Sequence, residues 1–539
     1  MAGPPTPLHS TELADPGTSR ATELHMPARG PVFGTRGAVA SGQAIATTIG
    51  IDVLRAGGNA IDAALAVSAA MVVLQPYSSH LGGDAFVQVR TADGERVALN
   101  AGGRAPIAAT PDRYGVGFPL RGARVAALPG LVDAWCELHG RFASRPMAEL
   151  LAPAAAIARD GVAVSNALSL SIRGAQEALA ADAGCKEVFL ENGPPAPGST
   201  LRQPDLARTL EAIGAGGREA FYGGAIGARI AETMQGLITK QDLERNQAVW
   251  GEPLSISYHG WTVCEQPLPS QGFMAIEALK IIEGFDLANE GPASPEAVHL
   301  AAEAMRLAFL DRQAYAGDPD AVDVPIERLL SEEHAAELRR RIDARSAGPA
   351  VAAHGGDTTS FAVADGAGNV VSFIQSIFSP WGAAVLAPGT GVLFNNRMRG
   401  FSLDPASPNA LRGGKRTVHT LNTWLLEREG GPAFAGGTPG ADFQVQVNTQ
   451  LVMGLVNWRL NAQWAIDAPK WALLGGGELG LEGRVPDETF AALEARGHRV
   501  VRLPAWAPGL CRSQIVGRTA GGALFAASDP RGEGCALAW

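Results

Sequence analysis

At positions 354–361 the chain reads HGGDTTSF, with two threonine hydroxyls directly after Gly355-Gly356-Asp357. A threonine hydroxyl is a weak nucleophile until a base stands beside it, and an α-amino group is such a base. That amine titrates near ~7.7–8.0, against ~10.4 for lysine, so it is poised at neutral pH. Thr358 would gain one only by becoming a chain start. Attack of its hydroxyl on the Asp357 carbonyl would give an ester that water then opens. The stretch before it, DARSAGPAVAAHGGD (343–357), is rich in small residues and reads as an exposed loop or linker of the kind self-cleavage would need. On spacing alone the threonines read first as an ordinary strand start, since threonine favours strands and pairs across them with serine.

The element that must position Thr358 is a β-hairpin. Asp365-Gly366-Ala367-Gly368-Asn369 is a turn sequence. A five-residue loop pairs Ala364 with Val370, and counting back places Phe361 opposite Phe373, Thr359 opposite Gln375 and Thr358 opposite Ser376. A second hairpin is expected in HLGGDAFVQVRTADGERVALNAGG, through Phe86, Val87 and Val89, a turn at Asp93-Gly94, and a return through Val97 and Leu99. The segment GQAIATTIGIDVLRAGG has helical apolar spacing and stops at Gly57-Gly58, after which Asn59 can cap AIDAALAVSAAMVVL. Helical patterns dominate from about 131 to 344, and strands follow after 357.

Bulk properties narrow the class. With 46% hydrophobic and 18% charged residues the chain reads as globular. A net charge of −10 with no concentrated Lys/Arg run argues against nucleic-acid or anionic-membrane partners. The apolar run from Ala63 is too short to span a bilayer, and the N-terminus shows no secretory h-region. Five widely spaced cysteines without a CxxC fit a reducing, cytoplasmic setting. Phosphate-loop geometry fails at Lys415, GxSxG fails at Ser270, and the Gly-rich FYGGAIGARIAE follows no obvious strand. Neither a metal nor a cofactor is expected.

Several ordered stretches resemble the γ-glutamyltranspeptidase family of N-terminal-nucleophile hydrolases. They include AVASGQAIATTIGIDVLRAGGNAIDAALA, LGGDAF, LPGLVDAW, PLPSQG, EAMRLAFLDRQAYAGDPD, DTTSFAVADGAGN, FNNRMRGFSLDP and GGTPGADFQ. The resemblance implies an α+β fold, a four-layer αββα sandwich, made as a self-cleaved precursor. Residues 1–30 would be a flexible tail, 31–357 the large subunit and 358–539 the small subunit, with the cut between Asp357 and Thr358. Thr358 would be the nucleophile, Ser376 a second active-site hydroxyl, and the N–H groups of Gly440 and Ala441 an oxyanion hole.

The pocket departs from the glutamyl pattern. The arginine that holds an α-carboxylate aligns with Gly102, although Arg104 stands nearby. The family's Ser-Ser pair aligns with Val418-His419, and its α-ammonium ligands align with Phe378, Arg397 and Gly400. A cation at 397 would repel an ammonium and attract a carboxylate. Arg397, Phe378, His419, Arg104 and Thr359 are therefore the candidate substrate contacts. Each has a structural alternative: Arg397 could be paired in its turn, His419 could be a satisfied core histidine, and Asp84 reads as a turn carboxylate. The expected activity is that of a self-processing amidohydrolase of the acylase branch, acting on a small non-peptide or acidic amide through an acyl-threonine. A γ-glutamyl hydrolase or transferase with a rebuilt pocket is the alternative, and an unprocessed binding protein the remote one. The expected partners are a small-molecule amide and the chain's own two subunits, with homo-oligomerisation left open.

Overall fold

The structure is a computed structural model of the uncleaved chain and describes residues 29–539. The tail expected over 1–30 lies almost wholly outside the described residues.

Two seven-stranded sheets, antiparallel throughout, form the centre. In spatial order the first runs Cys535–Ala538, Gly37–Ser41, Thr359–Asp365, Val370–Ser376, Asp84–Arg90, Arg96–Ala101 and Val249–Gly251. The second runs Val32–Gly34, Leu524–Ser528, Gln514–Arg518, Ala433–Gly437, Trp424–Glu427, Trp261–Glu265 and Leu254–Tyr258. Alternation along the strands separates the layers. Ala38, Ala40, Ala362 and Ala364 face the second sheet and meet Leu425, Ala435, Val516 and Ala526 there. Their neighbours Val39, Phe361, Val363, Val371 and Phe373 join the core that includes the helices Ala44–Arg55 and Ala60–Leu74. The outer face of the second sheet packs on the helices Phe273–Ile282, Pro295–Tyr315 and Phe443–Val456. The layers are therefore αββα, as expected.

The hairpin carrying Thr358 has the counted register: Ala364 pairs with Val370, Phe361 with Phe373, and Thr359 with Gln375. Asp365 sets the turn, accepting N–H bonds from Ala367, Gly368 and Asn369 at 3.0 Å each. The Phe361 and Phe373 rings stack at 4.8 Å, which adds about 0.5–1.5 kcal/mol beyond their burial. The second hairpin also forms, Asp84–Arg90 against Arg96–Ala101, and it lies next to the first, with Ser376 opposite Asp84. Asn59 caps its helix in a full capping box with Asp62.

The stretch 343–357 is the loop expected, mostly exposed over its first half, but it is not free at its end. Its second half is pinned: Val351 and Ala353 are buried, Gly355 lies against Phe443, and the His354 carbonyl accepts the Asp442 N–H while its own N–H donates to Asp442 Oδ2, both at 3.0 Å. The physical reason is positional. This stretch carries the Asp357 carbonyl into the interior, so its polar backbone needs partners there.

Candidate active site

Thr358 immediately precedes the strand Thr359–Asp365, and Ser376 ends the strand beside it. Their hydroxyl oxygens are 3.2 Å apart. The Asp357 carbonyl oxygen lies between them, 2.6 Å from Thr358 Oγ1 and 2.9 Å from Ser376 Oγ. Ser376 Oγ also accepts the Phe378 N–H at 2.8 Å, which fixes its orientation. Phe378 takes a left-handed backbone (φ +80°), uncommon for a bulky residue, and its carbonyl accepts the Asp357 N–H at 3.3 Å. Thr358 is 3% exposed, so bulk water competes little for these bonds.

Asp357 is held by a residue that the motifs did not single out. Arg512 Nη2 donates to Asp357 Oδ1 at 2.5 Å, and the same oxygen accepts the Thr358 N–H at 2.9 Å. Burial pulls the Arg512 pKa down, but Asp357 and Tyr77 more than offset it, and the guanidinium titrates above its usual range. Burial, reinforced by Asp357, raises the Tyr77 phenol. No local pattern marks Arg512, since it is 155 residues from Asp357 and meets it only through the fold.

Gly440 and Ala441 lie between the strand Ala433–Gly437 and the helix Phe443–Val456. Their N–H groups donate to no acceptor among the described residues. Gly440 sits at φ +134°, and a Cβ there would come 2.8 Å from the Leu510 carbonyl oxygen. The turn is braced by Gln271, whose Nε2 donates to the Ala441 carbonyl at 3.0 Å, and by Arg312, which reaches Gln271 Oε1 and Asp442 Oδ1 at 2.6 Å each. Gly356 lies directly against this turn, where an added Cβ would stand 2.8 Å from the Ala441 methyl.

Beside Phe378 a charged group is buried. The Arg397 guanidinium lies over the Phe378 ring at 4.4 Å and donates through Nε to Asp84 Oδ2 at 2.9 Å. Its Nη1 and Nη2 are buried without a hydrogen-bond partner. Asp84 also accepts the Gly103 N–H at 2.8 Å. Burial pushes the Asp84 carboxyl up, but Arg397 and His419 outweigh it, and the group stays below the usual carboxylate range. His419 accepts the Leu421 N–H at Nδ1, so its proton sits on Nε2, which stands 3.3 Å from Asp84 Oδ2. Burial, then Arg397, lowers its pKa to about 4, and the ring is neutral at pH 7.

His419 also crowds Gly102. A Cβ on Gly102 would meet His419 Cδ2 at 3.1 Å and Phe86 at 3.2 Å. The motif PLPSQG, read above as a failed nucleophile elbow, positions His419: its backbone bridges to Ser270, and Ser270 Oγ donates to the Leu421 carbonyl at 2.7 Å.

Two candidates stand apart. Arg104 is not brought to this group. It pairs with Asp320 at 3.0 Å and Asp318 at 3.7 Å and reaches the Gly414 carbonyl, so its charge is already matched elsewhere. Thr359 is a buried strand residue in the ladder opposite Gln375.

Paired antiparallel sheets between two helical layers, with hydroxyls converging on one backbone carbonyl at a central strand, define the N-terminal-nucleophile hydrolase class. The chain belongs to the γ-glutamyltranspeptidase family, whose model matches residues 46–539, and it is an amidohydrolase or acyltransferase of that family. It is 38% identical to an acylase ACY 1 proenzyme of Pseudomonas sp. (strain V22), covering 89% of this chain and 90% of that one. It is 34% identical to a glutathione hydrolase proenzyme of Escherichia coli (strain K12), over 93% and 91%. Among solved structures it matches a cephalosporin acylase from Bacillus halodurans with a TM-score of 0.90 and 35% identity, over 97% of this chain and 99% of that one.

Proposed function

We propose that Thr358 is the nucleophile of a self-processing amidohydrolase. The observation that carries this reading is the Asp357 carbonyl oxygen resting between two hydroxyls at 2.6 and 2.9 Å. Thr358 Oγ attacks the Asp357 carbonyl carbon while Ser376 stabilises the developing oxyanion. The Asp357–Thr358 C–N bond breaks, the proton from Oγ ends on the freed amine, and water opens the ester. Residues 1–357 and 358–539 are then separate subunits. In turnover the new α-amine takes the Thr358 proton, Oγ attacks the substrate amide, and the N–H groups of Gly440 and Ala441 bind the oxyanion. The amine product leaves with the proton, and water hydrolyses the acyl-Thr358 ester. Proenzyme relatives at 34–38% identity support the processing step.

The acyl group is a small one that carries a carboxylate and lacks an α-ammonium. Arg397, stacked on Phe378 with Nη1 and Nη2 unpartnered, supports this reading, and so does His419 filling the space beside Gly102. The likeness to a glutathione hydrolase favours the second reading, a γ-glutamyl hydrolase or transferase. A γ-glutamyl anilide offered beside a glutaryl or oxalyl amide separates the two. Faster turnover of the acidic, amine-free amides is expected, and strong preference for the glutamyl compound would refute the pocket assignment. A single full-length band from wild type after long incubation would instead favour the unprocessed binding protein. The five unpaired cysteines support a cytoplasmic setting. Among the described residues no helix is long and apolar enough to cross a membrane.

A further inference from the structure

Away from this site, three side chains from three helices converge in the outer helical layer. Glu277 lies on Phe273–Ile282, Asp311 on Pro295–Tyr315 and His334 on Glu332–Arg340. Their ligand atoms all fall within 4.8 Å of one another. His334 Nε2 is 2.6 Å from Asp311 Oδ2 and 3.5 Å from Glu277 Oε1. Both Glu277 carboxylate oxygens are buried without a hydrogen-bond partner. Among the described residues no lysine or arginine pairs with Glu277 or Asp311. The nearby Lys280 is committed to Glu283 and Glu332.

A fully buried carboxylate with no donor costs several kcal/mol unless it is neutralised or matched by positive charge. One imidazole and two carboxylates are a donor set for first-row divalent cations. Ligands ~2.0–2.1 Å from a tetrahedral centre stand about 3.3 Å apart; the 3.5 Å pair is already near that spacing, and the 2.6 Å pair has to open to reach it. We propose that Glu277, Asp311 and His334 bind one divalent transition-metal cation of the Zn2+ type, which ties the three helices together. Binding takes the imidazole in its neutral form, with the cation replacing the proton that Nε2 shares with Asp311, and that proton is released to solvent. Arg312, the residue after Asp311, braces Gln271 and Asp442 beneath the Gly440–Ala441 turn. The cation therefore stiffens the layer on which that turn rests, without touching substrate.

The test uses the full chain, stripped with chelator and dialysed against Zn2+ alone, with bound metal counted by atomic emission and melting followed by calorimetry. Wild type should hold one Zn2+ more per chain than Glu277→Gln or His334→Gln, and should melt at a higher temperature with Zn2+ than without. Asp311→Asn, which keeps shape and polarity, provides a third variant should either of the others fail to fold. Equal metal content in wild type and a folded variant, or no bound Zn2+ in wild type, would overturn the site and leave a proton-sharing cluster.

Discussion

The chemistry proposed here rests on single atoms, and the sharpest case is Asp357. Its carbonyl is the bond to be cut, while its carboxylate is clamped by Arg512 and takes the Thr358 N–H. Breaking that clamp should misplace the carbonyl without touching the mature nucleophile. Arg512→Gln is therefore expected to slow appearance of the two subunits at least tenfold while the protein stays folded. Thr358→Ala should give one full-length band indefinitely. Denaturing electrophoresis over time reads both, and unchanged processing in the arginine variant would remove Arg512 from the cleavage step.

Two buried histidines make a second residue-scale prediction. Burial lowers His80 to about 3 and, with Arg397, lowers His419 to about 4. Both accept a backbone N–H at Nδ1, from Leu393 and Leu421. In the unfolded chain each returns to roughly 6.5, so the unfolded state takes up protons first as pH falls. Their contribution is in place above about 6.5 and drains away as pH drops toward 4. A shift of two units in one histidine corresponds to about 3 kcal/mol. Urea midpoints at pH 7 and 4.5 should differ less in His419→Gln than in wild type. An equal drop in both would mean that His419 is not held neutral by the fold.

At the scale of elements, legibility followed distance along the chain. The hairpin register was readable because strand periodicity is two and Asp365 closes a local turn. Asn59 and the Gly57-Gly58 stop were readable for the same reason, since a cap is set by its neighbours. The clamp by Arg512, the pairing of Arg397 with Asp84, and the packing of His419 into the space beside Gly102 were not readable. Each joins segments that only the sheet stacking brings together. The anchoring of 351–357 escaped for a related reason: small residues look like linker in sequence, yet they are what lets a backbone thread between Phe443 and the Ala441 turn. That turn gives the element-scale prediction. At φ +134° and 2.8 Å from the Leu510 carbonyl, a side chain at 440 must shift the N–H groups of both turn residues. Gly440→Ala should lower kcat of the processed enzyme about 10²–10³-fold, the usual cost of losing an oxyanion donor. Single-turnover rates on processed protein test this, and a kcat within a factor of three of wild type would place the oxyanion hole elsewhere.

At the scale of the whole molecule, the proposed cut does not divide the fold. The strand Thr359–Asp365 lies between Gly37–Ser41 on one side and Val370–Ser376 on the other. The last strand, Cys535–Ala538, adds to Gly37–Ser41 at the edge of the same sheet. In the second sheet Val32–Gly34 pairs with Leu524–Ser528, and Trp261–Glu265 pairs with Trp424–Glu427. Residues on both sides of position 358 thus contribute to both sheets and to every layer of the core. Separating them would expose the strand edges and the small-residue interface between the sheets together, a cost of the order of global unfolding. The cleaved protein is therefore expected to elute as one species containing both subunits in equal amounts, and to resolve into two only in denaturant. Its melting transition should be single and close to that of uncleaved Thr358→Ala. Size exclusion followed by denaturing electrophoresis of the same peak decides the matter. Two native species after cleavage would mean that the sheets do not interleave across the cut.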